Sequence, residues 1–146
     1  MALSAETPSD RVDQLILLTE RLTELVALEA HAFESRRPQD AAVHVEETSK
    51  LANLYRHESA RVRANPDLVA TTDIKQRTRL IRATEAFDAV LARQGRALEA
   101  AKTVTEGLVR AIAEEVASSR QKGASYDADG MSGRAAATAI TLNQRA

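Results

Sequence analysis

Cysteine is absent from this sequence, which excludes disulfide bridges, thiolate metal sites and cysteine nucleophiles. Tryptophan is also absent, aromatic residues make up only 3% of the chain, and a length of 146 residues holds just 5 glycines and 3 prolines. Sheets draw on aromatic and β-branched residues and on turn-forming glycine, so β structure has little to build on. Charge of one sign is missing too: 20 basic residues nearly cancel 21 acidic ones. That balance leaves no basic field to hold phosphates, and nucleic acid is not expected as a partner. Met1 to Asp10 has no basic stretch leading into an apolar one, and no uncharged apolar run reaches the ~18 residues of a membrane span. The expectation is a cytoplasmic protein, neither conventionally secreted nor inserted in a membrane.

What is abundant is alanine, leucine, glutamate and arginine, within an apolar fraction of 44%. This is the composition of long amphipathic helices. The expected fold is all-α: an elongated antiparallel helical bundle or coiled coil of three helices, the third very long, followed by a flexible C-terminal tail. Thr7 caps the first helix, Pro8 suits its first turn, and Asp10 lies three residues after the cap. Leu15, Leu18, Leu22, Leu25, Glu29 and Ala32 then recur at spacings of three and four, with Val26 and Phe33 widening the face. Arg36, Arg37 and Pro38 interrupt the pattern near Ser35. A second helix over 38–64 carries a weaker stripe of Ala41, Val45, Thr48, Leu51, Ala52, Tyr55, Ser59 and Val62.

The third helix starts either at Asn65, with Pro66 in its first turn, or afresh at Thr72 and Asp73. It runs to about Gln121 on a face of Ile74, Ile81, Thr84, Phe87, Leu91, Leu98, Ala101, Thr105, Leu108, Ile112 and Val116. Gly95 and Gly107 inside it mark a bend or a close helix approach. One bundle is thus expected over 1–122. Gly123, Gly130 and Gly133 punctuate a flexible tail over 123–146, in which Ala135 to Asn143 forms a short helix.

At ~1.5 Å per residue a helix over 72–121 is about 75 Å long, while each of the first two is about half that. Run up, down and up, the first two cover the third only to about Leu98. Leu98, Ala101, Val104, Thr105, Leu108, Ile112 and Val116 then form an uncovered stripe of the kind that marks an interaction surface. Its occupant is a client helix, a second copy of the chain, or the chain folded back on itself.

Catalytic chemistry has no visible residues. His31, His44 and His57 lack the pairing of a di-metal or zinc helix and read as surface residues, so no metal or other cofactor is expected. Glu46-Glu47 and Glu114-Glu115 are adjacent on helices and do not face each other as acid–base pairs. There is no phosphate loop, nucleophile elbow or dinucleotide fingerprint. Arg77, Arg79 and Arg82 lie within helical reach of Asp73, Glu85 and Asp88 and read as a salt-bridged face. Phe33, Tyr55 and Phe87 read as core fillers. The protein is expected not to be an enzyme.

Two medium helices, one long helix and a tail containing Tyr126, Asp127 and Gly130 resemble the FlgN family of flagellar export chaperones, in which a Tyr-Asp-x-x-Gly-like stretch follows the long helix. The resemblance implies a chaperone that keeps hook-associated junction proteins soluble and delivers them to the flagellar type III export gate. It implies clients bound through their C-terminal helices, here on the stripe from Leu98 to Val116, by a chaperone that is a monomer or weak homodimer when free. It also implies docking of Tyr126, with Asp127 and Gly130, on the export-gate protein. The alanine-rich extension after Gly130 departs from the family pattern and offers Ile140 and Leu142 as a cover that folds back on the stripe. The competing readings are a self-associating coiled-coil protein and a type III secretion chaperone with another client.

Overall fold

The fold is given by a computed structural model, which describes the backbone of residues 2–145 and the side chains of residues 2–126. Its elements are α1 (Pro8–Glu34), α2 (Pro38–Ala42), α3 (Val45–Ala64), a 3-10 turn (Pro66–Leu68) and α4 (Ile74–Arg145), with no strand among the described residues. The all-α expectation holds. The chain divides into two compact units, Met1–Lys102 and Thr103–Ala146.

α1 starts where its sequence places it, with the Thr7 hydroxyl accepting from the Asp10 amide at 3.1 Å. Its end is a Schellman motif: the Arg36 amide donates to the Phe33 carbonyl at 3.1 Å and the Arg37 amide to the Ala32 carbonyl at 2.8 Å. Arg36 therefore sits at φ 58°, in the left-handed region that glycine occupies without steric cost. Arg36→Gly is expected to raise unfolding stability by about 0.5–1 kcal/mol, read as a higher urea midpoint at unchanged slope.

The single helix expected over 38–64 is in fact two. The His44 amide bonds to the Ala41 carbonyl at 3.1 Å, a tightened turn that ends α2 and starts α3 anew at Val45. No proline or glycine marks the break. It keeps Ala41 buried while leaving Val45 exposed, and Thr48 donates its hydroxyl proton to Glu29 of α1 at 2.7 Å. The two starting points weighed for the long helix both correspond to features. Asn65 caps the 3-10 turn by accepting from the Asp67 amide, and α4 begins separately after Thr72 and Asp73.

Directions in the first unit follow from its cross-links. Arg11 meets Glu58 and Arg21 meets Glu47, so α1 and α3 run antiparallel. Asp13 meets Gln76, Glu20 meets Arg79 and Glu34 meets Arg93, so α1 and the first part of α4 run parallel. Between them lies a core of Leu18, Leu22, Val26 and Phe87, flanked by Leu51, Ala52, Leu54, Tyr55 and Val90. Tyr55 and Phe87 meet edge to face with centroids 5.1 Å apart, and Phe33 is half-buried. The buried Glu29 accepts from Thr48 and from Gln94 of α4, each at 2.7 Å, and so joins all three helices.

The face expected to bury the third helix requires correction. α4 turns Ala83, Phe87, Val90 and Ala97 inward at spacings of four, three and seven, whereas Ile74, Ile81, Leu91 and Leu98 are exposed. Ile81 and Phe87 are six residues apart, about 240° around the helix, so they cannot share a face. Gly95 and Gly107 do not interrupt α4, and neither marks a close approach, since a Cβ at either would meet nothing within 4 Å. α4 is assigned beyond Gln121 to Arg145. Ala135 to Asn143, expected as a short helix in a flexible tail, falls within this helical assignment, whereas the expected fold-back by Ile140 and Leu142 concerns side chains outside the described residues.

Candidate functional site: an exposed apolar ridge on α4

In the second unit α4 carries valine, leucine and isoleucine at intervals of four: Val104, Leu108, Ile112 and Val116. Each step advances about 40° around a helix, so the four trace a slanting ridge across roughly 120° of its surface. All are exposed, from 46% at Val116 to 60% at Val104. Val109 is exposed to the same degree and broadens the ridge on one side. Val109 is absent from the residues expected at this surface although it lies four residues after Thr105 and three before Ile112, and this spacing was itself the available signal. Thr105 is exposed beside the ridge, and Glu106, Arg110, Glu114 and Glu115 supply exposed charges of both signs.

Of the other residues expected at this surface, Leu98 and Ala101 belong to the first unit, where Leu98 is exposed and Ala101 half-buried. Tyr126 is 80% exposed. Asp127 and Gly130, expected to dock with it, have side-chain positions outside the described residues.

A face of aliphatic side chains edged by solvated charges can bind by removing apolar area from water, and it carries no group placed to transfer a proton or attack a bond. The other sequence candidates are occupied elsewhere. Glu46 pairs with Lys50 at 2.7 Å and Glu47 with Arg21 at 2.8 Å. The Arg21 hydrogen bond, outweighing slight desolvation, holds Glu47 below its ordinary carboxylate range. Arg93 does the same for Glu34. His31 and His57 are exposed and His44 half-buried, and no group of three or more metal-ligating side chains converges among the described residues. Arg79 pairs across to Glu20 at 3.3 Å, while Arg77 donates to the Ala70 carbonyl and the Thr72 hydroxyl. For Arg77 and Arg79 the expected pairing with Asp73, Glu85 and Asp88 is thus replaced by contacts to the preceding turn and to α1.

No helix among the described residues is long and apolar enough to cross a membrane. No family model matches the chain, and no solved structure does. A protein of Caulobacter vibrioides named flagellar basal-body protein FlbY is 64% identical over 149 aligned positions, which cover 100% of each chain. With that identity across the whole of both chains, this protein belongs to the FlbY family.

Proposed function

We propose that this protein is a cytoplasmic chaperone of flagellar assembly, not an enzyme, which holds export clients through the apolar ridge on α4. The observation that carries the reading is the ridge itself: Val104, Leu108, Ile112 and Val116 stand in water on a helix face long enough to receive an amphipathic client helix. The flagellar name of its Caulobacter relative supports the setting. The resemblance of its helix order and of Tyr126-Asp127-x-x-Gly130 to FlgN chaperones supplies the finer content. On that reading the clients are hook-associated junction proteins bound by their C-terminal helices, and the exposed Tyr126 docks on the export-gate protein. An aromatic ring with one hydroxyl suits such a pocket.

The test is the solution mass of the protein alone and mixed with a C-terminal helical segment of a hook-associated protein. A one-to-one complex is expected, weakened about 100-fold or more by Leu108→Asp or Ile112→Asp, because a carboxylate in an apolar interface loses its water without gaining a partner. Helix content is expected to stay unchanged in both variants. Tyr126→Ala is expected to spare this complex and weaken binding to the gate protein's cytoplasmic domain. Equal loss of client binding in both classes of variant would refute the division of roles.

A second reading is favoured by the relative's printed name: a component of the basal body itself. It predicts that the protein co-purifies with isolated basal bodies in fixed stoichiometry, which a chaperone does not.

A further inference from the structure

Tyr55 of α3 and Phe87 of α4 meet with ring centroids 5.1 Å apart. From there toward the end of α3, no hydrogen bond or ion pair joins the two helices among the described residues. An open groove of about 230 Å³ lies at this place, wholly within the first unit. Its floor is the buried Leu15 and Thr19 of α1, and its walls are the half-buried Tyr55 and Val62 of α3 and Leu80 of α4. The core of the bundle is thus left open to water at one end.

Two of the polar groups bordering the groove are committed to their own helices. Thr19 donates its hydroxyl proton to the Leu15 carbonyl at 2.7 Å, and Thr84 donates to the Leu80 carbonyl at 2.9 Å, so neither proton is left for a ligand. What remains is the hydroxyls of Tyr55 and Ser59 and the guanidinium of Arg63, which is exposed and in no ion pair among the described residues. Arg63 is the one charged side chain that lines the groove. Farther along the edges, Arg56 lies two turns before Arg63 on α3. On α4, Arg77 and Asp88 lie two turns before and one turn after Thr84, and Asp73 precedes the helix. Those outer charges cancel, Glu58 is held by Arg11 and Arg61, and α1 brings no charge to the floor. The uncompensated charge at the groove is therefore the cation of Arg63.

A pocket for a whole small molecule usually measures about 300–1,000 Å³, so this one suits a single large side chain. A flat lipid surface cannot reach a floor that is itself buried. We propose that the groove docks an acidic peptide segment of a partner protein, which seats one apolar side chain against Tyr55, Val62 and Leu80 and sets a neighbouring carboxylate on Arg63. An apolar anchor in a desolvated pocket supplies the affinity, and the charge at its edge selects the partner. Binding here does not depend on the client role proposed for Val104–Val116.

The test uses the full chain and two short fluorescein-labelled peptides, one with a phenylalanine flanked by glutamates and its twin with lysines in place of the glutamates. Fluorescence anisotropy is expected to show the acidic peptide binding about tenfold or more tighter than its twin, by an amount that shrinks as salt is raised. Arg63→Glu is expected to abolish that preference with helix content unchanged, because the side chain is exposed and unpaired. Ser59→Trp, which fills the groove from its edge, is expected to weaken both peptides, and Leu108→Asp to weaken neither. Failure of either peptide to bind, equal binding of the two, or binding lost with Leu108→Asp but kept in Arg63→Glu would each overturn the proposal. A mass that rises with concentration and falls back with Arg63→Glu would overturn it too, by giving the groove to a second copy of the chain.

Discussion

Glu58→Ala is expected to destabilise the protein by about 3–5 kcal/mol, the penalty for leaving a buried charge without its partner. Glu58 is fully buried on α3. One carboxylate oxygen accepts from Arg11 of α1 at 2.8 Å, and the other from the Leu3 amide at 3.0 Å and from Arg61 at 3.1 Å. Arg11 is itself buried, so removing the carboxylate strands a guanidinium and releases the segment before α1. Against a total stability of about 5–15 kcal/mol for a domain of this kind, that loss takes a large share, and urea unfolding monitored by circular dichroism measures it. Replacing both partners, Arg11→Met with Glu58→Leu, is expected to recover most of it, because no charge is then left buried.

The same carboxylate gives the protein a pH dependence of known sign. Burial acts most strongly on Glu58 and would raise its pKa. The Leu3 amide, Arg61 and Arg11 together outweigh it and hold the group below its ordinary value. A carboxylate depressed in the folded state stabilises the fold fully above its unfolded pKa. That contribution is lost as pH falls through the lower, folded value. Stability of the wild-type protein is therefore expected to fall on acidification below the normal glutamate range, and Glu58→Gln is expected to flatten that part of the curve.

Helix type and the cap at Thr7 were legible because they depend on local chemistry: a hydroxyl three residues before an amide, a proline in a first turn, leucines at three-and-four spacing. The α2–α3 break was not legible. It is a one-residue tightening at His44 with no residue-level breaker, set by the burial of Ala41 and the reach of Thr48 to Glu29. On α4, Phe87 is buried as its place on the stripe predicts, but the aliphatic side chains Ile74, Ile81 and Leu91 assigned to the same stripe are exposed, because size and spacing alone do not say which side of a helix faces the core. α1 fills its side of the core with leucine and valine, and α4 contributes alanine at Ala83 and Ala97. Glu58 was overlooked as a charged residue, although Leu51, Tyr55, Glu58 and Val62 carry the four-three-four spacing of a buried stripe. A charge at a stripe position is a signal for a buried partner, and here the partner, Arg11, lies 47 residues away. The exposed ridge was legible as apolar residues on a long helix, apart from Val109.

Leu22→Ala and Leu108→Ala remove the same atoms and are expected to differ by several kcal/mol. Leu22 has no exposed surface and lies in the cluster with Leu18, Val26 and Phe87, so its truncation loses the transfer energy and leaves a cavity among helices tied by cross-links on both sides. The expected cost is about 2–5 kcal/mol, a drop in melting temperature of roughly 10 °C or more. Leu108 is 59% exposed, so its truncation removes few contacts and returns little area to water, and the expected change in stability is within about 0.5 kcal/mol. Alanine also favours the helix slightly over leucine. If the ridge exists to bind, the ranking inverts when the measured quantity is client affinity: Leu108→Ala weakens the complex while Leu22→Ala, at temperatures where the protein remains folded, leaves it unchanged. A large thermal destabilisation by Leu108→Ala would instead mean that the ridge is covered within the protein in solution. The aliphatic residues at Val104–Val116 would then belong to a core, and the chaperone reading would lose the observation it rests on.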